Sequence, residues 1–336
     1  MILIHKTIVL SIFLLISFLF KGSDQQEYTL HGYAQGTDYT VKYFADSPLI
    51  RGCEIDSLLI KIDSSMSLYK SYSLINKFNT STKGLTINMD FKNVINKSFE
   101  IYKDTRGKFD VTVAPLVQAW GFGPKPVTSF PDRIKIKELL KNTGMNFLKL
   151  KGTELIKKRP EIQIDLNGIA QGYSVDVVAY YLLSRGITSF IVEIGGEISM
   201  KGPKPDGSAI RIGIEGPALN ENSEPRIRHV ISFKEGAVTT SGNYRKYLQT
   251  GGKKISHLIN PKTGYPLDNQ LISVTIYAKD AITADGYDNA VMAMGVEEAL
   301  AFVSARKNME AYLIYHRKNG TVTDTLTAGF RKMIVN

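Results

Sequence analysis

The sequence predicts an α+β fold in which mixed, largely antiparallel sheets carry packed helices. Three features carry that expectation. Short segments of apolar–polar alternation follow one another closely, as hairpin strands do. Strict alternation of strand and helix is missing, which disfavours a doubly wound parallel sheet. Longer stretches place apolar residues at helical spacing, as amphipathic helices resting on a sheet require.

The elements follow in order. Residues 28–44 alternate in patches and divide at Gln35-Gly36-Thr37-Asp38 into two strands. A helix is expected over 49–68, with Ile50, Ile55, Leu58, Leu59, Ile62 and Met66 on one stripe, followed by the polar, aromatic stretch Ser67 to Ser73. A second helix is expected over 88–105, with Asp90 in its first turn and Gly107 past its end. Trp120, the only tryptophan, sits among glycines and prolines and should wedge a loop against the core, and 123–132 reads as a surface connection. Residues 134–142 should be helical, with Gly144 as the C′ residue. Strands are expected over 147–150, 153–157 and 161–165, then a glycine-bearing turn and a helix to Ser184. Residues 190–198 read as a buried strand carrying a glycine pair, where something approaches the backbone closely. Further strands are expected over 210–214, 229–233, 237–241, 271–277 and 309–315, with helices over 281–295 and 297–306. No repeat at solenoid spacing is visible.

The 336 residues suffice for one large domain or two ordinary ones, and a composition of 43% hydrophobic and 22% charged residues is that of a globular protein. A formal net charge of +10 favours polyanionic ligands or membrane surfaces. The basic residues are scattered, however, and no nucleic-acid-binding motif is present, so nucleic acid is not an expected partner. One early lysine precedes a 13-residue apolar run, Ile8 to Phe20, interrupted only by Ser11 and Ser17. Its length suits a secretory h-region better than a membrane span. Residues 1–22 are therefore expected to be a signal peptide or an N-terminal anchor, and 23–336 the functional domain. Without residues 1–22, and hence Lys6 and Lys21, the net charge is +8. The single cysteine, Cys53, excludes an internal disulfide and a cysteine-rich metal site.

Four stretches can carry chemistry. Ile164-Asp165-Leu166-Asn167-Gly168 opens into a helix, and such a junction aims backbone N–H groups and a helix N-terminus at an anion; an ordinary turn capped by Asp165 is the alternative. In Ala284-Asp285-Gly286-Tyr287-Asp288-Asn289, Asp285, Asp288 and Asn289 share one helix face. Three oxygen-bearing side chains there suit a hard cation such as Mg²⁺, or equally a solvated first turn. Thr239-Thr240-Ser241-Gly242 ends a strand in hydroxyls fit for phosphate oxygens or for a polar turn, with Arg245 nearby. His257 precedes the turn-rich Asn260-Pro261-Lys262-Thr263-Gly264, where a lone His is either structural or a proton acceptor. There is no G-x-S-x-G, P-loop or G-x-G-x-x-G.

Taken in order, Phe109-Asp110-Val111-Thr112-Val113 with Trp120-Gly121-Phe122-Gly123, Ile164-Asp165-Leu166 with Gly168 to Asp176, Thr240-Ser241-Gly242-Asn243-Tyr244-Arg245, His257-Leu258-Ile259-Asn260-Pro261-Lys262-Thr263-Gly264, and Ala284-Asp285 to Asn289 resemble the ApbE family of FAD:protein FMN transferases. The resemblance covers nearly the whole chain beyond about Gly32. It implies a T-fold-related ApbE-like domain, export to the periplasm with attachment to the inner membrane as an open alternative, and FAD and Mg²⁺ as donor substrate and cofactor. It implies transfer of FMN to a threonine hydroxyl of an acceptor flavoprotein, a subunit of a sodium-pumping NADH:quinone oxidoreductase or related electron-transfer complex, with release of AMP. By the same resemblance Gln35, Tyr69, Lys108, Phe109, Asp110, Asp165, Gln171 and Ile259 would contact FAD. The Gly168 carbonyl, Asp285, Asp288 and Asn289 would hold the metal, and Asp285 and His257 would be catalytic. Asn289 stands where many relatives have a hydroxyl residue, Gln171 where Lys or Glu is common, and Gln35 where Met is frequent. Two alternatives share this site: hydrolysis of FAD to FMN and AMP, and non-catalytic flavin binding.

Overall fold

The computed structural model describes residues 25–217, 226–243, 247–250 and 253–335. The segment 1–22 and the pair Tyr244 and Arg245 lie outside the described residues. The centre of the fold is an eight-stranded sheet in the order β1-β2-β6-β7-β10-β13-β14-β15, with every neighbouring pair antiparallel. Its strands are β1 (Gln26–Ala34), β2 (Thr37–Ala45), β6 (Phe190–Ile194), β7 (Glu197–Lys201), β10 (Glu235–Gly242), β13 (Leu271–Ala278), β14 (Glu310–His316) and β15 (Val322–Leu326). The smaller strands are β3 (Gly84–Thr86), β4 (Leu148–Lys151) and β5 (Glu154–Lys157) in one sheet, and β8 (Ile212–Glu215), β9 (Ile227–Ile231) and β16 (Ile334–Val335) in another. A separate hairpin joins β11 (Tyr247–Thr250) to β12 (Lys253–Ser256).

Helices α1 (Gly52–Met66), α2 (Leu74–Thr80), α3 (Met89–Asp104), α6 (Ala170–Ser184), α7 (Ala281–Met292) and α8 (Val296–Ser304) build the main core against one face of the large sheet. On the opposite face Phe44, Met200, Val238 and Ile314 pack against Ile212 and Ile231 of the β8–β9–β16 sheet and Phe330 of α9 (Ala328–Met333). A satellite cluster of Leu116, Trp120, Ile136 and Ile259 joins α4 (Ala114–Ala119) and α5 (Arg133–Leu140) to the segment after β12. Trp120 is anchored there by its indole N–H donating to the Gly264 carbonyl at 2.8 Å. The mixed, antiparallel α+β architecture expected from the hairpin-rich pattern is the one observed.

Local chemistry explains most boundaries. Gln35 (φ 56°) and Gly36 (φ 81°) make a two-residue turn with both residues left-handed, the geometry that matches strand twist. Asn88 caps α3 by accepting from the Phe91 N–H at 3.0 Å. Three expectations are corrected. Gly144 is not a C′ residue: α5 ends at Leu140, and Gly144 (φ 140°) instead donates its N–H to Thr112 Oγ1 at 2.6 Å. Residues 161–165 keep their alternation but form no strand. The Asn79 amide takes both the N–H of Ile164 (2.8 Å) and its carbonyl (2.9 Å), replacing a ladder partner. The stretch 190–198 is two strands, because Gly195 (φ 60°) and Gly196 (φ 102°) turn β6 back into β7. Sequence reading also left β15 and α9 unassigned.

Candidate active site

Helix α7 is buried along nearly its whole circumference, so it is an interior helix rather than a surface amphipathic one. Its acids are therefore interior groups: Asp285 is 3% and Asp288 1% exposed, which rules out a solvated first turn. Asp280 caps the helix by accepting from Thr283 N at 3.0 Å, setting Asp285, Asp288 and Asn289 one turn deeper on the face toward α6 and β10.

Helices α6 and α7 hold each other by reciprocal carboxylate caps. Asp285 Oδ2 accepts from the Gly172 N–H in the first turn of α6 at 2.8 Å. Asp176 of α6 accepts from the Ala281 and Ile282 N–H groups at the start of α7, at 2.8 and 2.9 Å. Each carboxylate satisfies amides that lack an intrahelical partner and lies at the positive end of the other helix's dipole. The approach is close enough to demand glycine: a Cβ on Gly172 would fall 2.3 Å from the Ala281 carbonyl oxygen and 2.7 Å from Asp285 Cβ.

This crossing brings the turn before α6 against the acidic face. Asn289 Nδ2 lies 3.3 Å from the Gly168 carbonyl, 3.0 Å from the Asp285 carbonyl, 2.9 Å from Asp288 Oδ1 and 3.4 Å from Asp285 Oδ1. A polar N–H group thus sits where oxygens converge from that turn and from α7, and rotating this amide would add a further oxygen. Period-two alternation in β10 aims Thr239 and Ser241 at α7. Thr239 Oγ1 donates to Asp288 Oδ2 at 2.7 Å, and Ser241 Oγ to Asn289 Oδ1 at 3.4 Å. The Thr239 hydroxyl, fully buried, therefore supports Asp288 and not a phosphate oxygen. Thr240 bonds Thr275 across the sheet at 2.9 Å.

Burial pushes the Asp285 carboxyl up, and burial together with the neighbouring Asp285 charge pushes Asp288 well up. Among the described residues no three His, Cys, Asp or Glu side chains are placed to hold a metal ion. The cluster instead has two carboxylates and takes its other oxygens from an amide and a main-chain carbonyl. An all-oxygen set of this kind fits a hard cation that also coordinates water and phosphate.

The cluster forms part of the wall of a cavity of about 1170 Å³, above the range usual for drug-sized ligands and large enough for a dinucleotide. The residues expected to contact FAD or the metal, together with His257, all lie on this wall, whereas Thr239 does not. Those on the wall are Gln35, Tyr69, Lys108, Phe109, Asp110, Asp165, Gly168, Gln171, His257, Ile259, Asp285, Asp288 and Asn289. Tyr69 is 65% exposed, on a tight segment that Asn76 Nδ2 pins through the Leu68 and Lys70 carbonyls at 3.0 and 2.9 Å. Gln35 donates to Ser174 Oγ at 2.9 Å, and Gln171 to the Ile194 carbonyl at 2.8 Å. Gly195 is left-handed (φ 60°), which favours glycine, and a Cβ there would lie 2.0 Å from Gln171 Nε2; the close approach expected at the glycine pair is this amide.

Asp110 is largely engaged by the protein, accepting from Thr112 N at 2.8 Å and Thr112 Oγ1 at 2.5 Å, and burial raises it to about 6. Asp165 accepts from Asn167 N at 2.8 Å, and desolvation raises its carboxyl. Lys108 pairs with Glu298 at 3.2 Å. The His257 ring meets Phe122 edge-on with centroids 6.2 Å apart. Sequence reading missed Asp176, whose spacing from Gly172 on α6 signals nothing until α7 is seen across from it. It also missed Glu197, which the glycine turn carries to the cavity wall and whose charge adds to the raising of Asp288.

The sequence profile of the ApbE family matches residues 35–313. The chain is 39% identical over 289 residues to a FAD:protein FMN transferase of Vibrio cholerae serotype O1, covering 83% of this chain and 84% of that one. It is 35% identical over 318 residues to a FAD:protein FMN transferase of Haemophilus influenzae, covering 91% of each. Among solved structures, the flavin transferase ApbE from Vibrio cholerae superposes with a TM-score of 0.82 at 34% identity, covering 92% of this chain and 99% of that one. The apo flavinyl transferase ApbE of Pseudomonas stutzeri gives 0.81 at 31% identity, over 92% and 97%.

Proposed function

The chain belongs to the ApbE family, and on that premise we propose that it is a FAD:protein FMN transferase that moves FMN from FAD onto a threonine hydroxyl of an acceptor protein. The observation that carries the reading is the presence, on the wall of one dinucleotide-sized cavity, of an oxygen cluster and an imidazole. In the reaction the acceptor oxygen forms a bond to the FMN phosphorus, the phosphoanhydride bond to AMP breaks, and AMP leaves. His257 is assigned to take the hydroxyl proton, and Tyr69 to stack on a ring of FAD. Gln35, Lys108, Phe109, Asp110, Asp165, Gln171 and Ile259 complete the nucleotide wall. Phosphoryl-transfer catalysis rests on positioning and charge stabilisation, which this preformed wall supplies.

Asp285, Asp288, Asn289 and the Gly168 carbonyl would hold Mg²⁺, and the donor chemistry described above fits that ion. When bound, Mg²⁺ neutralises diphosphate charge. Asp285 keeps its Gly172 bond through one oxygen and offers the other. Residues 1–22 serve in this reading as an export signal or anchor, and 23–336 as the catalytic domain. The enzyme would act in the periplasm, at or near the inner membrane, on a flavoprotein subunit of a sodium-pumping NADH:quinone oxidoreductase or a related electron-transfer complex.

The test is incubation with FAD and MgCl₂, with and without such an acceptor, read by in-gel flavin fluorescence and AMP release. A fluorescent acceptor band with stoichiometric AMP is expected. Free FMN and AMP with an unlabelled acceptor would show a hydrolase, and bound FAD without AMP a flavin-binding protein; either outcome defeats the proposal.

A further inference from the structure

Strand β1 is an edge of the large sheet, and among the described residues nothing pairs with its outer side. Its register defines which backbone groups face outward. The two-residue turn makes Ala34 and Thr37 the closing pair, so Gly32, Leu30 and Tyr28 direct their N–H and carbonyl groups to β2. Glu27, Thr29, His31 and Tyr33 direct theirs away from it. The parity is independently fixed on β2, where the Asp38 carbonyl accepts from Gly195 N and the Phe44 N–H donates to Ser189, both on the β6 side. Edge strands are commonly guarded by proline, inward charge, lysine or a bulge. From Tyr28 to Tyr33 this one has none of these, and its register with β2 is uninterrupted.

The unguarded edge runs into the active site. Gly32 to Gly36 lie on the cavity wall, opposite Asp56 and Ile60 of α1. Around that mouth large side chains stand in solvent: Tyr33 is 70%, Ile60 61% and Tyr69 65% exposed. Exposed tyrosines with an aliphatic neighbour are the composition of a protein-binding surface rather than of ordinary solvated surface.

We propose that the acceptor protein docks by strand addition, an extended segment pairing with the outer side of β1 and clasped by Tyr33 and Ile60, so that its hydroxyl residue passes the Gln35–Gly36 turn into the cavity. The inference rests on the transferase reading and names how its macromolecular substrate is held. Main-chain pairing supplies affinity with little dependence on side chains, which suits an enzyme that must fit a loop around one hydroxyl. The four steps of strand from Thr29 to Tyr33 span about 13 Å at ~3.3 Å per residue, enough to align the segment before the bend.

Proline provides a selective test. At position 29 or 31 it removes an outward N–H and leaves the β1–β2 ladder intact, as edge strands tolerate; both positions lie outside the cavity. Thr29→Pro and His31→Pro, compared with wild type on the flavin-accepting domain of a sodium-pumping NADH:quinone oxidoreductase, should lower kcat/KM for that protein at least tenfold, mainly through KM. FAD affinity and melting temperature should stay at wild-type values. Leu30→Pro, which removes an inward N–H, should lower the melting temperature and marks the unfolding response. Hydrogen exchange at Thr29, His31 and Tyr33 should slow when the acceptor is added. Wild-type kcat/KM in both outward variants, with transfer by wild type intact, would overturn the docking mode and leave the transferase reading standing. No transfer by wild type would overturn both. A wild-type dimer that Thr29→Pro converts to monomer would assign the edge to a second copy of this chain and also overturn it.

Discussion

Replacing Asp285 by alanine separates the two duties this carboxylate has in the structure. One oxygen accepts from the Gly172 N–H at 2.8 Å in a buried setting, and truncation leaves that donor unsatisfied at a cost of ~1–3 kcal/mol. In the other direction, truncation removes a desolvated charge that raises the neighbouring Asp288, so part of that cost is returned. The metal-free variant should therefore lose only about 1 kcal/mol and melt within a few degrees of wild type. The response to metal should differ far more. Wild type saturated at 100 times its dissociation constant gains ~2.7 kcal/mol, and the variant should gain almost none. Transfer should fall by about 10³-fold, the scale of losing a main source of charge stabilisation. Thermal melts with and without MgCl₂, run beside AMP release from FAD, measure both quantities on one preparation. A variant that transfers within tenfold of wild type, or that Mg²⁺ stabilises equally, would refute the assignment of Asp285.

Gly172→Ala should force α6 from α7, because its Cβ would lie 2.3 Å from a carbonyl oxygen; a loss of ~1–3 kcal/mol and reduced transfer are expected, and an unchanged melting temperature would contradict the packing argument. Asp176 is raised by burial from 3.8 to about 7, so the native state keeps a proton that the unfolded chain releases. Its contribution is fully present below pH about 4 and is lost as pH rises to 7, by at most ~4 kcal/mol. The difference in urea midpoint between wild type and Asp176→Asn should change over that window, and a constant difference would show that the two carboxyl pKa values coincide. His257→Gln should lower transfer by ~10²–10⁴-fold with FAD affinity retained; an unaltered rate would remove the imidazole from proton transfer.

Much of this protein was legible before its coordinates because periodicity reports burial faithfully. The spacing of Ile55, Leu59, Ile62 and Met66 marked α1, and these are the residues it buries. The Asp285, Asp288 and Asn289 face was readable from helix geometry alone. Its depth was not, since burial of α7 depends on β10 and α6, which are distant in sequence. The strand expected at 161–165 failed for a related reason. Alternation fixes which side chains face inward, but whether the backbone joins a ladder depended on Asn79, more than eighty residues earlier. Thr239 was recognised as a site hydroxyl and assigned the wrong partner, because sequence cannot show that Asp288 lies 2.7 Å away. Asp176 was visible only as the last residue of a motif, with no role of its own, as a cap across two helices has no local signature.

In the proposed mechanism the bend before α6 and the acidic face of α7 together hold one divalent ion beside a dinucleotide. Anomalous diffraction from crystals grown with FAD and Mn²⁺ tests it most directly. One strong peak is expected within coordination distance of the Gly168 carbonyl, Asp285, Asp288 and Asn289, adjoining the FAD diphosphate. FAD ordered in the cavity with no manganese among those four residues would contradict it.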